Sequence, residues 1–296
     1  MRMTKLARAT IVALSALAAI GCEPDGGGGR AGAGGKKDTA VVFIAASLSN
    51  AFRAQFDSFT SRTGATVLTE SGASVEHARK ITELGRTPDL IILADEEIFP
   101  NMLAPKHLTW WASFARNRMV VAYTDRSKLH DSINATNWYR ILTTKGVEVG
   151  RSDPKVAPVG YRALAVFTLA EIRYRQPGLA RRLLDNAPPK NVRGNAADLA
   201  ALLAAGEIDY IYDYESVARA NGFRFVPLPD EVSGNPVTYA LSIPTVAPHP
   251  RAASAVLAFI LSDSVRQRLR AAHIDMFDAP VVNGTGAPAT ITRPRR

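Results

Sequence analysis

Apolar and polar positions along the chain change period repeatedly, from continuous runs to helical spacing and back. Residues 40–45, AVVFIA, form an unbroken apolar run that stops at Ser47-Leu48-Ser49. From 48 to 63 the apolar residues recur at helical spacing. A buried strand is therefore expected to end on serines that open a helix. The pattern repeats with a strand at 65–70 and a helix over 74–85, with Val75, Ala78, Ile81 and Leu84 on one face and Ser74 at its start. Short apolar runs at 90–94 and 119–123 predict buried strands. Helices are expected over 137–142, 163–174, 198–205, 251–262 and 263–272, and another from 216. Strands are expected at 209–212 and 237–243. Strands alternating with helices predict an α/β architecture with mostly parallel sheets.

In such sheets ligands bind beyond the carboxyl ends of the strands, where helix N-termini present unsatisfied N–H groups that attract anions. Ser47 and Ser49 stand at one strand-to-helix turn, and Ser71-Gly72-Ala73-Ser74 forms a second. Serines at such turns either cap their helices or point at a bound anion. The sequence pattern leaves both open.

Composition adds the surroundings. The formal charge is +9, of which Arg2, Lys5 and Arg8 lie in a basic start followed by an uncharged apolar run over 9–20, leaving 9 − 3 = +6 if that segment is removed. This reads as a secretory signal peptide over 1–21, too short for a resident membrane span. The chain has a single cysteine, Cys22, so no internal disulfide can form. Ala19-Ile20-Gly21-Cys22 resembles the lipobox of bacterial lipoproteins, which implies that Cys22 carries a lipid. Residues 22–38 are a glycine-rich tether, and 283–296 read as a flexible basic tail. The remaining charge is spread along the chain, without a basic helix, zinc-finger spacing or an aromatic RNA-binding signature, so nucleic acid is not an expected partner. HExxH, CxxC, GxSxG and Walker A motifs do not occur, and no histidines stand at metal-ligand spacing. No enzyme, metal or cofactor is therefore expected.

More specific than any single serine are AASLSNAF (45–52), ASVEHARKITELGRTPDLIILAD (73–95), FARNRMVVAYTDRSK (114–128), NWYRIL (137–142), SDPKVAPVGYRAL (152–164) and GEIDYIYDYESVA (206–218). Together they resemble the tungstate/molybdate-binding proteins of ABC importers, in particular the branch first known from archaea. The resemblance implies a periplasmic-binding-protein-like fold of two α/β lobes joined by crossing hinge strands, with 39–118 plus 245–282 as lobe I and 119–244 as lobe II. It implies a monomer that takes up a tungstate or molybdate oxyanion on the periplasmic or cell-surface side and passes it to an ABC permease. On the family pattern the ligand-binding residues are Ser47, Ser74, the backbone near Val159 and Gly160, Tyr212 and Asp213. The sequence departs from the archaeal pattern at Ala157, which replaces a carboxylate that binds the metal centre, and at Asp213, which is shorter than the usual glutamate. A tetrahedral anion held by hydrogen bonds alone is then expected, with Asp213 repelling it unless it binds the metal or pairs with a cation such as Arg162. Sulfate or phosphate, or an accessory lipoprotein without transport, are the alternatives. Phosphate would need an acceptor for its remaining proton, for which Asp213 is the candidate.

Overall fold

The computed structural model describes residues 38–292. The apolar leader, Cys22, the tether up to Lys37 and the terminal arginines lie outside the described residues. The chain runs β1 (Thr39–Ala45), α1 (Ala46–Thr63), β2 (Thr66–Gly72), α2 (Ser74–Thr82), β3 (Leu90–Leu93) and β4 (Trp110–Asn117). It continues through β5 (Met119–Tyr123), α3 (Trp138–Ile141), β6 (Val149–Ser152), α4 (Pro158–Tyr174), α5 (Leu179–Asp185), β7 (Val192–Arg193), α6 (Ala196–Ala205), β8 (Tyr210–Tyr214), α7 (Glu215–Ala220) and β9 (Arg224–Pro227). β10 (Val237–Ser242) and β11 (Asp275–Gly284) follow, with helices Pro250–Ile260 and Asp263–Ala271 between them. The strands form a six-stranded sheet, β11-β4-β10-β3-β1-β2, and a five-stranded sheet, β7-β6-β8-β5-β9. The α/β expectation holds, with one sheet in each of two lobes.

Side-chain alternation explains why helices cover both faces of the first sheet. β1 pairs in parallel with β2 on one side and β3 on the other. Val42 and Ile44 enter a core with Leu48, Phe52 and Phe56 of α1. Phe43 enters a second core with Ala78 and Ile81 of α2, and Ile91 and Leu93 of β3. Each such side chain contributes about 1.5–3 kcal/mol when fully buried. The two helices therefore lie on opposite faces, and β1 becomes the point where the strand order reverses. Its carboxyl end is where a ligand site is expected. The second sheet has the same logic. Tyr212 packs against Trp138 and Phe167, while Ile211 joins Leu199 and Leu203 of α6 on the other face.

The chain crosses between sheets twice. β4 ends at Asn117 and β5 begins at Met119, and the return runs from β9 to β10. β10 pairs with β3 and β4, so 237–242 belong to the first sheet and not to the second lobe, where the sequence division put them. Two other expectations are corrected. β11 pairs Asn283 with Trp111 and Gly284 with Trp110, and Ile291 of the short helix Ala289–Thr292 is buried. Residues 283–292 are therefore docked rather than a loose tail. α4 begins at Pro158 instead of 163, because proline suits the first helical position, where no N–H is needed.

Candidate functional site

The carboxyl ends of the strands in both lobes open on one cleft with a cavity of about 20 Å³. Its walls are helix N-termini: Ala45, Ala46 and Ser47 at α1, Ala73 and Ser74 at α2, Ala157, Pro158 and Val159 at α4, Asn195 and Ala196 at α6. Gly72, Ala94 and Tyr214 complete them. That volume is far below the roughly 300–1,000 Å³ usual for organic ligands, which points to a small ion. None of these lining side chains is charged. Each helix start carries roughly half a positive charge, so the four together supply roughly two, matching a dianion without a counter-ion. The first N–H groups of each helix have no intrahelical acceptor, and small side chains let an anion approach them.

Both predicted serines line the cleft, and neither caps its helix. The N-cap positions are Ala45 and Ala73, without a side-chain cap bond at either. The buried Ser74 Oγ accepts the N–H of Ala94 at 3.0 Å. Ser47 Oγ accepts the Tyr239 hydroxyl at 3.3 Å. With an oxygen lone pair of each serine engaged by a protein donor, each hydroxyl hydrogen is left for another acceptor. Ser49 and Ser71, the other serines of the two turns, bond each other at 2.6 Å.

The rest of the predicted set divides. Val159 lines the cleft at the second position of α4, just after Pro158. Gly160 does not line it, and its N–H is donated to the Ala157 carbonyl at 2.9 Å. Its absent side chain has another cause: a Cβ there would stand 2.6 Å from the Ser152 carbonyl oxygen. The glycine lets α4 start hard against the end of β6, which places Val159. Tyr212 is buried against Trp138 and Phe167, away from the lining residues. Tyr214, two residues on along the same strand, lines the cleft instead. Its hydroxyl is buried without a hydrogen-bond partner among the described residues, and burial raises its pKa well above the usual tyrosine range. It is a proton donor in search of an acceptor.

Asp213 is fully buried and is not a lining residue. Its Oδ1 accepts the Tyr214 N–H at 2.7 Å, and burial pushes its pKa up to about 8. It is thus protonated near neutral pH. Arg162 does not neutralise it. The guanidinium donates to Asp95 Oδ2 at 2.9 Å, and the Tyr161 hydroxyl donates to the same oxygen at 2.6 Å. This pairing joins α4 of the second lobe to the end of β3 in the first, as does the Val75 N–H to Val156 carbonyl bond at 3.0 Å. Burial first, and the Asp95 charge next, raise the Tyr161 pKa and keep that phenol protonated. The charged groups of this region hold the lobes together and stay out of the cleft wall. A wider groove of about 460 Å³ lies alongside them, lined in part by Asp95, Tyr161 and Arg162.

Sequence reasoning missed Tyr214, Ala94, Asn195 and Tyr239. Asn195 had a readable signal: Asn-x-x-Asp before an apolar run. Its Oδ1 accepts the Asp198 N–H at 3.0 Å and caps α6. Ala94 and Tyr239 act through bonds to residues far away in sequence, which no local pattern reports.

The sequence profile for the bacterial extracellular solute-binding protein family matches residues 40–274. An uncharacterized solute-binding protein of Petrotoga mobilis is 39% identical over 256 residues, covering 76% of this chain and 80% of the relative. The molybdate/tungstate-binding protein WtpA of Pyrococcus abyssi is 28% identical over 311 residues, covering 87% of this chain and 90% of its own. Among solved structures, the periplasmic molybdate-binding protein of Azotobacter vinelandii shares the fold with a TM-score of 0.64 at 17% identity, over 79% of this chain and 98% of that one. The family match over 40–274 takes in every helix that lines the cleft and stops short of β11. The chain belongs to the bacterial extracellular solute-binding proteins, and it is a binding protein rather than an enzyme.

Proposed function

We propose that the cleft takes a fully deprotonated tetrahedral oxyanion, tungstate or molybdate, and that the chain delivers it to an ABC permease. The observation that carries this reading is the convergence of four helix N-termini and two serines on a small cleft with no charged lining side chain. Ser47 and Ser74 donate from the first lobe, and the Val159 N–H and the Tyr214 hydroxyl from the second. Dipoles, not a counter-charge, then stabilise the anion. A ligand gripped from both lobes favours their closed arrangement, which a hinge at the two crossings would relax for release. Lipid attachment at Cys22 would keep the monomeric protein on the periplasmic or cell-surface side of the membrane, next to its permease.

Sulfate is the second reading, since a cage without ligating carboxylates serves any tetrahedral dianion. Phosphate is disfavoured: Asp213, the only acceptor proposed for its proton, is not a lining residue. Calorimetric titration with tungstate, molybdate, sulfate and phosphate tests the reading. Binding of at least one of the first three, with phosphate weakest, is expected. Ser74→Ala and Ser47→Ala should each weaken that binding by about 1–3 kcal/mol. Heat from none of the four would reject the oxyanion reading, and unchanged affinity in both variants would remove the serines from it.

A further inference from the structure

Behind Ser47 stands a buried polar chain that ends at the hinge. Asn117 is the last residue of β4, where the main chain leaves the first sheet. Its amide orientation follows from its neighbours, because Oδ1 accepts the Arg118 N–H at 2.9 Å and the Ser216 N–H at 3.4 Å. The amide nitrogen therefore donates, to Ser216 Oγ at 2.7 Å and to the Tyr239 oxygen at 2.7 Å. Tyr239 is fully buried in β10. With its oxygen already accepting from Asn117, its own proton is available to Ser47 Oγ at 3.3 Å, with the Ser216 hydroxyl as the competing neighbour. Asn117 fixes the Tyr239 oxygen as an acceptor, which turns the Tyr239 proton toward Ser47 or Ser216, and Ser47 is the only member that lines the anion cleft.

We infer that Tyr239, oriented by Asn117, is a specificity-determining residue that makes Ser47 a donor and not an acceptor toward the ligand. The inference rests on the oxyanion reading and adds a rule of selection to it. A serine hydroxyl can turn to accept a hydrogen bond when its lone pairs are free. Tyr239 takes one of the two Ser47 lone pairs, so the hydroxyl cannot turn to accept a proton carried by the ligand without giving up that bond or its own donation to the anion. An oxyanion that keeps one proton must then bury that O–H unpaired, which a site built of donors penalises strongly. Removing the Tyr239 hydroxyl frees the Ser47 lone pairs and lets the serine turn toward a protonated anion. Tyr239 works through Ser47, as a positioning residue, and is not a lining residue of the cleft.

The test compares tungstate with inorganic phosphate in mildly alkaline buffer, where both are dianions and only phosphate holds a proton. Calorimetry is run on the mature full-length chain and on Tyr239→Phe. The variant is expected to bind tungstate more weakly and phosphate relatively better, so that the tungstate-to-phosphate affinity ratio falls by about tenfold or more. A loss of overall packing would weaken both anions alike and leave the ratio unchanged, and that result overturns the inference. Asn117→Asp provides a second route if Tyr239→Phe fails to fold. Its carboxylate would draw the Tyr239 proton away from Ser47, and the same fall in the ratio is expected; an unchanged ratio there also overturns the inference. In a Ser47→Ala background Tyr239→Phe should no longer move the ratio, and a full additional shift would show that Tyr239 acts by another path. If the unsubstituted chain binds tungstate and no substitution alters the ratio, the inference fails alone. If the unsubstituted chain binds neither anion, the oxyanion reading itself fails.

Discussion

Replacing Ala157 with aspartate should abolish oxyanion binding and at the same time raise the stability of the fold. Ala157 is buried, lines the cleft, and is the N-cap of α4 in an extended conformation, φ −120° and ψ 129°. Aspartate is among the best N-cap residues, and gaining a cap is worth about 0.5–2 kcal/mol. The same carboxylate would compete for the free N–H groups at the start of α4 and add a negative charge beside the dianion. Two unit charges about 4 Å apart repel by about 4 kcal/mol at the effective dielectric suited to protein sites. That is about a thousandfold in affinity for each charge on the anion. A melting temperature that rises while calorimetric binding disappears is the expected pair of results. Retained tungstate affinity would mean that the aspartate ligates the metal centre, and the site would then not be a cage of hydrogen bonds alone.

Asp213→Asn should have its large effect on stability and little on binding. Asp213 sits in β8 with one oxygen on the Tyr214 N–H and the other buried without a partner among the described residues. Burial raises its pKa from 3.8 to about 8 in the folded chain. Between those values the folded protein keeps a proton that the unfolded chain releases, so stability falls as pH rises through that window. The loss is complete above the folded pKa and absent below the unfolded one. Each pH unit of the window is worth at most about 1.4 kcal/mol. Asparagine keeps the acceptor for Tyr214 and cannot ionise. The variant should match the parent in acid and exceed it by several kcal/mol in mildly alkaline buffer. Denaturant unfolding across that pH range measures the difference. A parent whose stability does not decline relative to the variant would contradict the assignment. Oxyanion affinity near neutral pH should not change, because the aspartate is already protonated there and is not a lining residue.

The parts of this molecule that the sequence made legible are those where a single local pattern decides. The runs that become β1, β3 and β5 are buried on both faces and read as strands from their apolar residues alone. The first serine turn could be located because it follows β1, and the second because its strand, the half-exposed edge strand β2, gives way to a clear helical pattern from Ser74. What remained hidden depends on pairing across long sequence distances. β11 is an edge strand with mostly exposed or half-exposed residues, and its last part reads as tail until Trp110 and Trp111 are seen beside it. Tyr212 and Tyr214 share one face of β8, and only the position of the strand end decides which lines the cleft. Gly160 was expected beside the ligand, and its actual role, close packing on Ser152, was not readable. Arg162 finds Asp95 across the two lobes, a partner that no local pattern reports, and so is not the cation for Asp213.

Whether hydrogen-bond donors alone hold the anion is decided by a crystal structure of the protein grown with tungstate. One anion is expected among the four helix N-termini, with four oxygens around the metal. Ser47 Oγ, Ser74 Oγ, the Val159 nitrogen and the Tyr214 hydroxyl should lie within hydrogen-bond distance of those oxygens. A carboxylate oxygen of Asp213 bonded to the metal, or an anion seated outside this cleft, would contradict it.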